Sequence, residues 1–278
     1  MANPHAGEVA VWIDGRRHAA KLTLGALAAL EADPAFETVV GNTELKVVAG
    51  MNLRRPPLDD VRVRRALMMA VDRQALVDGA WSGYGTPIGS HYTPNDPGFK
   101  DLRGHLAYDP VAAKNLLQEA GYGNGLSIRI KVPQMPYAVR SAEILQAFLA
   151  EIGVSLEIVP TEFPAAWVSD VLQNHDFDMT IVAHAEPMDI DIFARADYYF
   201  GYANPAFNDI IARAEAASDR AVRDSLYGEA QDILADDVPA LFLFVMPKLG
   251  VWRTGLSGFW HDEPIPSNDL TDVRWSGE

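Results

Sequence analysis

The chain has 278 residues, 49% hydrophobic and 22% charged, which is enough apolar material for one large domain or two ordinary ones. Its formal charge of −15 sets it against polyanions, so neither a nucleic-acid backbone nor an anionic membrane surface is an expected partner. It has no cysteine, which excludes disulfides, thiolate nucleophiles and Cys-ligated zinc.

The first residues, Met-Ala-Asn-Pro-His-Ala-Gly-Glu, have neither the basic nor the apolar region of a secretory signal. No apolar run reaches the roughly 18 to 20 residues that span a bilayer. Val9, Val11 and Ile13 alternate as in a short strand, and Asp14-Gly15 signals a turn. A short helix is expected over residues 24 to 32, with Leu27 and Leu30 on its apolar side, followed by strands at 36 to 40 and 44 to 48. Pro56 and Pro57 hold the chain extended, and Asp59 and Asp60 offer caps to a helix whose buried face is Val63, Ala66, Leu67, Ala70 and Val71. Asp72 caps a second helix with Leu76, Val77 and Ala80 inward, and an aromatic, glycine-rich loop with Trp81 and Tyr84 follows. Asp109-Pro110 opens a helix that Gly121 closes. Strand periodicity at Leu126 to Val132, a helix over 140 to 152 and a strand at Val154 to Ile158 make a parallel βαβ unit. A helix over 164 to 173 leads into Phe-Asp-Met-Thr-Ile-Val-Ala, an apolar run suited to a strand buried on both faces. Asn204-Pro205 and Asp219 start two further helices, and residues 239 to 245 read as a buried strand. No internal repeat stands out.

Five passages carry a family resemblance, among them Ala6-Gly7-Glu8-Val9 with Leu30-Glu31-Ala32-Asp33-Pro34, which belongs to the N-terminal lobe in the family, and Glu151-Ile152-Gly153-Val154. Asn52, Pro56, Pro57, Asp59, Asp60, Arg62, Val63, Arg64, Ala66, Leu67, Ala70, Val71, Asp72, Arg73, Leu76 and Val77 fit the pattern N-x-x-x-P-P-F-D-D-x-R-V-R-x-A-[IL]-x-x-A-[IV]-D-R-x-x-[IL]-V, with Leu58 in place of Phe. Tyr108, Asp109, Pro110, Ala113, Lys114, Leu116, Leu117, Glu119, Ala120, Gly121 and Tyr122 fit Y-D-P-x-x-A-K-x-L-L-x-E-A-G-Y. The run from Gly201 to Pro205 and the helix through Tyr227, Ala230, Gln231, Ile233 and Leu234 fit a further pattern. The chain thus resembles the extracytoplasmic solute-binding proteins of peptide- and nickel-type ABC transporters, family 5. The resemblance covers the C-terminal half of a typical member. It implies an α/β, type II periplasmic-binding-protein-like C-terminal lobe with βαβ units, plus an incomplete piece of the N-terminal lobe. Residues 1–48 would be the N-terminal-lobe fragment, 49–250 the ligand-binding lobe, and 251–278 a return segment, with residues 49 to 57 leaving the hinge. It further implies a truncated, non-enzymatic component, periplasmic or otherwise extracytoplasmic. That component would be a monomer without cofactor or metal, binding a peptide or other small polar solute and handing it to permease subunits as two lobes close.

The most polar constellation is residues 184 to 200. It follows the apolar run at the carboxyl end of a strand, where open α/β sheets bind ligands. His184, Glu186, Asp189, Asp191, Arg195 and Tyr198 are the candidate wall, with Tyr199 beside them. In the family the loop reads G-W-x-x-D-x-x-D-P-D-x-F and supplies an acid to the ligand's amino terminus. Here His184 stands at the Trp, Ile190 at the Pro, and the loop is one residue shorter, so Glu186 and Asp189 compete for that role. The bland alternative is that these carboxylates cap turns or pair with Arg195. Trp81, Tyr84 and His91 are a second candidate group, able to cover an apolar or sugar-like ligand; Trp81 can equally plug the core. A metal-dependent hydrolase using His184, Glu186, Asp189 and Asp191 is the alternative from another class. No P-loop, G-x-G-x-x-G or G-x-S-x-G motif supports an enzyme.

Overall fold

The computed structural model describes residues 8–13, 16–21, 29–263 and 269–276. The chain divides into two compact units. The larger holds Asn42–Pro247 and Asp262–Ser267; the smaller holds Met1–Gly41, Lys248–His261 and Asn268–Glu278. The changeovers therefore fall at 41/42 and 247/248, where the sequence reading has 48/49 and 250/251.

In the larger unit, helices cover both faces of a mixed sheet. Its strands are β4 (Thr86–Pro87), β5 (Leu126–Pro133), β6 (Val154–Thr161), β7 (Met179–His184), the part of β3 (Phe36–Met51) from Asn42 on and the part of β8 (Ala240–Arg253) up to Pro247, in the order β4-β8-β3-β7-β5-β6. β5 runs parallel to β6 and to β7, and β7 runs antiparallel to β3. The expected βαβ unit is β5, helix α4 (Pro136–Glu151) and β6. Strand alternation sorts the core into two layers. Val47, Ala49, Met51, Ile181, Leu241 and Leu243 face one cluster, together with helices α1 (Val61–Met69), α2 (Arg73–Trp81), α3 (Pro110–Glu119) and α4. Val48, Val182, Ala240 and Phe242 face the other, built from Phe193, Tyr199, Phe200 and helices α5 (Pro205–Ala216) and α6 (Arg220–Asp237). Each fully buried Leu, Ile, Val or Phe contributes roughly 1.5–3 kcal/mol, so both faces of the sheet are firmly held.

The helix starts follow the local chemistry read from the sequence. Asp60, Asp72, Asp109 and Asp219 each accept a backbone N–H of the first turn, and Asn204 accepts two. Gly121, at φ +93°, closes the turn after α3. Arg64 is buried and bonded to the carbonyl oxygens of Leu58, Asp59, Asp237 and Val238, tying the start of α1 to the end of α6. Asp60, Val63 and Arg64 of the opening motif are therefore architectural.

Several boundaries differ from expectation. The two strands at 36–40 and 44–48 are one 16-residue strand that runs on through the polar residues between them. The last strand extends to Arg253, and α4 begins at Pro136. The helix at 164 to 173 is a single α-turn, Ala165–Trp167, running on as a π-helical segment, Val168–Gln173. Of the helix expected at 24 to 32, only its end lies within the described residues, as does none of the Asp14-Gly15 turn. In the smaller unit, β1 (Glu8–Ile13) and β2 (Arg16–Lys21) pair antiparallel, and β9 (Leu256–Ser257) pairs with β10 (Arg274–Trp275). Among the described residues no helix is long and apolar enough to cross a membrane.

Candidate functional site

β7 ends at His184, and the chain then turns through Met188, in the left-handed region at φ +55°, into a 3-10 segment, Asp189–Ala194. This places the polar stretch at the carboxyl end of a central strand. The strand end is anchored from α4, whose Tyr137 hydroxyl accepts the Ala183 N–H at 3.1 Å. The far end of the loop is gripped by Arg54, which donates to the carbonyl oxygens of Tyr198 and Tyr199, both at 2.8 Å.

Beneath the loop lies a buried charged cluster with Asp189 at its centre. The Lys46 ammonium, on β3, lies 3.0 Å from Asp189 Oδ1 and donates to the carbonyl oxygens of Glu186 at 2.7 Å and Glu44 at 3.2 Å. His91 Nε2 is also 3.0 Å from Asp189 Oδ1, and His184 Nδ1 is 3.5 Å from Oδ2. His184 Nε2 pairs with the Tyr199 hydroxyl at 3.0 Å. Burial works against the Asp189 charge. His91, His184 and Lys46 outweigh it and hold the carboxyl well below the usual carboxylate range. Burial pushes His91 down to about 4 despite Asp189, so its ring is neutral at pH 7 and Nε2–H donates to the carboxylate. A second carboxyl pair adjoins: burial, and then Asp96, push Glu44 up to about 7 against the pull of Lys46, and burial raises Asp96 as well.

The sequence-predicted residues separate into three groups. His91, His184 and Asp189 come together, all buried. Glu186, Asp191, Arg195 and Tyr198 lie on the outer side of the same loop. Glu186 and Arg195 are exposed, Asp191 pairs with Arg195 at 2.7 Å, and the Arg195 guanidinium stands 5.9 Å from the centre of the half-buried Tyr198 ring. Burial, with Asp189 and Glu186 nearby, pushes the Tyr198 phenol up to about 12. Trp81 and Tyr84 are half-buried, with Trp81 packed against the first core layer. The set His184, Glu186, Asp189 and Asp191 that a hydrolase would use does not converge: Glu186 points its carboxylate at the Ala185 N–H, 3.2 Å away, and Asp191 is held by Arg195. A surface pocket of about 450 Å³ lies elsewhere, lined by residues including Arg73, Asp101, Arg103 and Tyr108.

Lys46, Glu44 and Asp96 were not singled out from the sequence. A signal was present: Glu44, Lys46 and Val48 alternate onto one face of a strand whose Val48 is core, and a lysine on an inward face requires a counter-ion.

The mixed sheet with a polar loop at the end of a central strand defines a type II periplasmic-binding-protein architecture. The same fold appears in HbpA2 from Haemophilus parasuis, with a TM-score of 0.82, 24% identity, and 90% of this chain and 52% of that one covered. The dipeptide binding protein from Pseudoalteromonas sp. SM9913 in complex with Met-Leu also matches, with a TM-score of 0.74, 23% identity, and 91% and 52% covered. In sequence, the chain is 31% identical to the dipeptide-binding protein of Escherichia coli K12 over 212 residues, 69% of this chain and 38% of that protein. It is 27% identical to the glutathione-binding protein GsiB of Shigella dysenteriae over 254 residues, 84% and 48%. Residues 9–189 match the model of the bacterial extracellular solute-binding proteins, family 5 middle region, and the chain belongs to that family. It spans about half the length of the relatives it matches, or less. These relatives are binding proteins and lend the hydrolase alternative no support.

Proposed function

We propose that this chain supplies one lobe's share of a solute-binding protein that delivers a small peptide or similar polar solute to the permease of an ABC importer outside the cytoplasm. The observation that carries the reading is the 184–200 loop in a family-5 chain: it stands at the end of β7 with Glu186 exposed, while Asp189 is buried under Lys46 and two imidazoles. Of the two acids that compete in the sequence, Glu186 is therefore the one available to a ligand's cationic group. Asp191, Arg195 and Tyr198 border it. Relatives named for a dipeptide and for glutathione support a ligand with a free amine. No bond is made or broken in this function. A solute is held when closure adds contacts from a second lobe, and only contacts that differ between open and closed states drive closure.

The test is calorimetric titration of the 278-residue chain with Met-Leu and with N-acetyl-Met-Leu. The chain alone offers one side of a closing site, so the free dipeptide is expected to bind with a Kd of about 0.1–1 mM, equivalent to roughly 4–5.5 kcal/mol. Acetylation or Glu186→Gln is expected to remove the heat. Equal binding of both peptides would overturn the role of Glu186, and submicromolar binding would overturn the need for a second lobe.

A further inference from the structure

The buried cluster is short of positive charge. Lys46 is fully buried, and Asp189, Glu44 and Asp96 are 7%, 3% and 6% exposed, so three carboxyl groups share one ammonium. Lys46 acts on all three and has two backbone carbonyl oxygens as further acceptors, so it does not depend on Asp189 alone. Three polar atoms are left over inside the cluster: Glu44 Oε2, Asp189 Oδ2 and His91 Nδ1 are buried with no hydrogen-bond partner. Buried polar atoms without partners call for an explanation, and for Asp189 Oδ2, on the carboxylate that faces both imidazoles, an ion is one.

The donor geometry supplies it. One atom each from His91, His184 and Asp189 lie within 4.8 Å of one another. His91 Nε2 to Asp189 Oδ1 is 3.0 Å, and His184 Nδ1 to Asp189 Oδ2 is 3.5 Å. Zinc bonds of about 2.0–2.1 Å place neighbouring tetrahedral donors about 3.3 Å apart. Two imidazoles and a carboxylate suit a borderline divalent ion rather than Ca²⁺ or Mg²⁺, which prefer all-oxygen shells. The remaining ring nitrogen of His184 is oriented by the Tyr199 hydroxyl, as a metal-ligating histidine requires.

We propose that His91 Nε2, His184 Nδ1 and the Asp189 carboxylate form a buried site for one divalent transition-metal ion, Zn²⁺ or Ni²⁺ by ligand chemistry. The ion ties the 184–200 loop to the end of β7 and to the loop after β4. Binding at His91 Nε2 moves that ring's proton to Nδ1. Burial leaves no open face for a substrate, so the role is structural, and the proposal stands independently of the solute reading.

The experiment uses the full chain freed of metal by chelation and dialysis, equilibrated overnight with ZnCl₂ or CoCl₂ because the site opens only when the loop moves. One equivalent of zinc by elemental analysis, with a raised Tm, is expected. His91→Gln and His184→Gln are each expected to weaken uptake at least tenfold, and Lys46→Met to strengthen it. Should the histidine variants not fold, Co²⁺ added to the unaltered chain is expected to broaden the ring NMR signals of His91 and His184 and to spare His105 and His175. Uptake below a tenth of an equivalent would overturn the proposal. So would uptake unchanged in both variants, or broadening confined to other histidines.

Discussion

Asp189 carries two apparent roles in the sequence, and its surroundings leave it one. With Lys46 3.0 Å away and His91 and His184 beside it, its charge is spent inside the protein. Asp189→Asn removes the carboxylate nearest the buried ammonium. Because Glu44, Asp96 and two carbonyl oxygens stay near Lys46, it is expected to cost less in urea unfolding than the roughly 3–5 kcal/mol of a wholly unpaired buried charge. The double variant with Lys46→Met removes both charges and is expected to recover much of that loss; a double variant no better than Asp189→Asn would show that the ion pair is not what the loop rests on. Glu44 gives a pH prediction with a definite sign. Its carboxyl rises from an ordinary 4.5 to about 7 in the folded protein, so between these values the folded state holds a proton that the unfolded chain has lost. Stability is then full below about pH 4.5, falls as pH rises to 7, and is flat above, with up to about 3 kcal/mol at stake. Asp96, raised in the same direction, adds to the slope. Glu44→Gln is expected to flatten the curve, and a slope unchanged in that variant would place the proton elsewhere. Neither effect was legible in the sequence, because Lys46 finds its counter-ion in a loop far along the chain and only the strand's inward face hinted at it.

Elements were easier to read than sites. Caps such as Asp72 and Asp109 act within three residues, so the sequence alone locates them, and Asp109→Ala is expected to cost about 1 kcal/mol. Leu145, fully buried on α4, is set by helical periodicity, and Leu145→Ala is expected to cost about 2–5 kcal/mol. What periodicity did not show was close approach between distant segments. Gly50 on β3 leaves room for Tyr199 and Phe200: an added Cβ would sit 2.7 Å and 2.8 Å from their rings. Gly50→Ala is thus expected to cost about 1–3 kcal/mol and to shift Tyr199 away from His184, measurable as a changed Tyr199 ring signal. The merged strand Phe36–Met51 also has distant partners: Lys46–Met51 pair with β7, far along the chain, while the local sequence at 41–43 signals a break.

For the whole molecule, hallmark motifs gave the family because they encode packing: Arg64 and the capping aspartates build the lobe whatever the solute. The solute was not legible, because the loop that distinguishes this chain departs from the family pattern at His184 and Ile190. The structure gives those departures a physical content: the histidine joins a buried cluster, and the exposed acid is Glu186. The loop thus has an exposed outer face, proposed for solute, and a buried face that supports it. The most direct test is an NMR titration of ¹⁵N-labelled chain with Met-Leu, mapping which amides move. The account predicts saturable shifts centred on Glu186, Asp191, Arg195 and Tyr198. Shifts confined to Trp81 and Tyr84 or to the pocket by Arg103, or no shift at millimolar peptide, would contradict it.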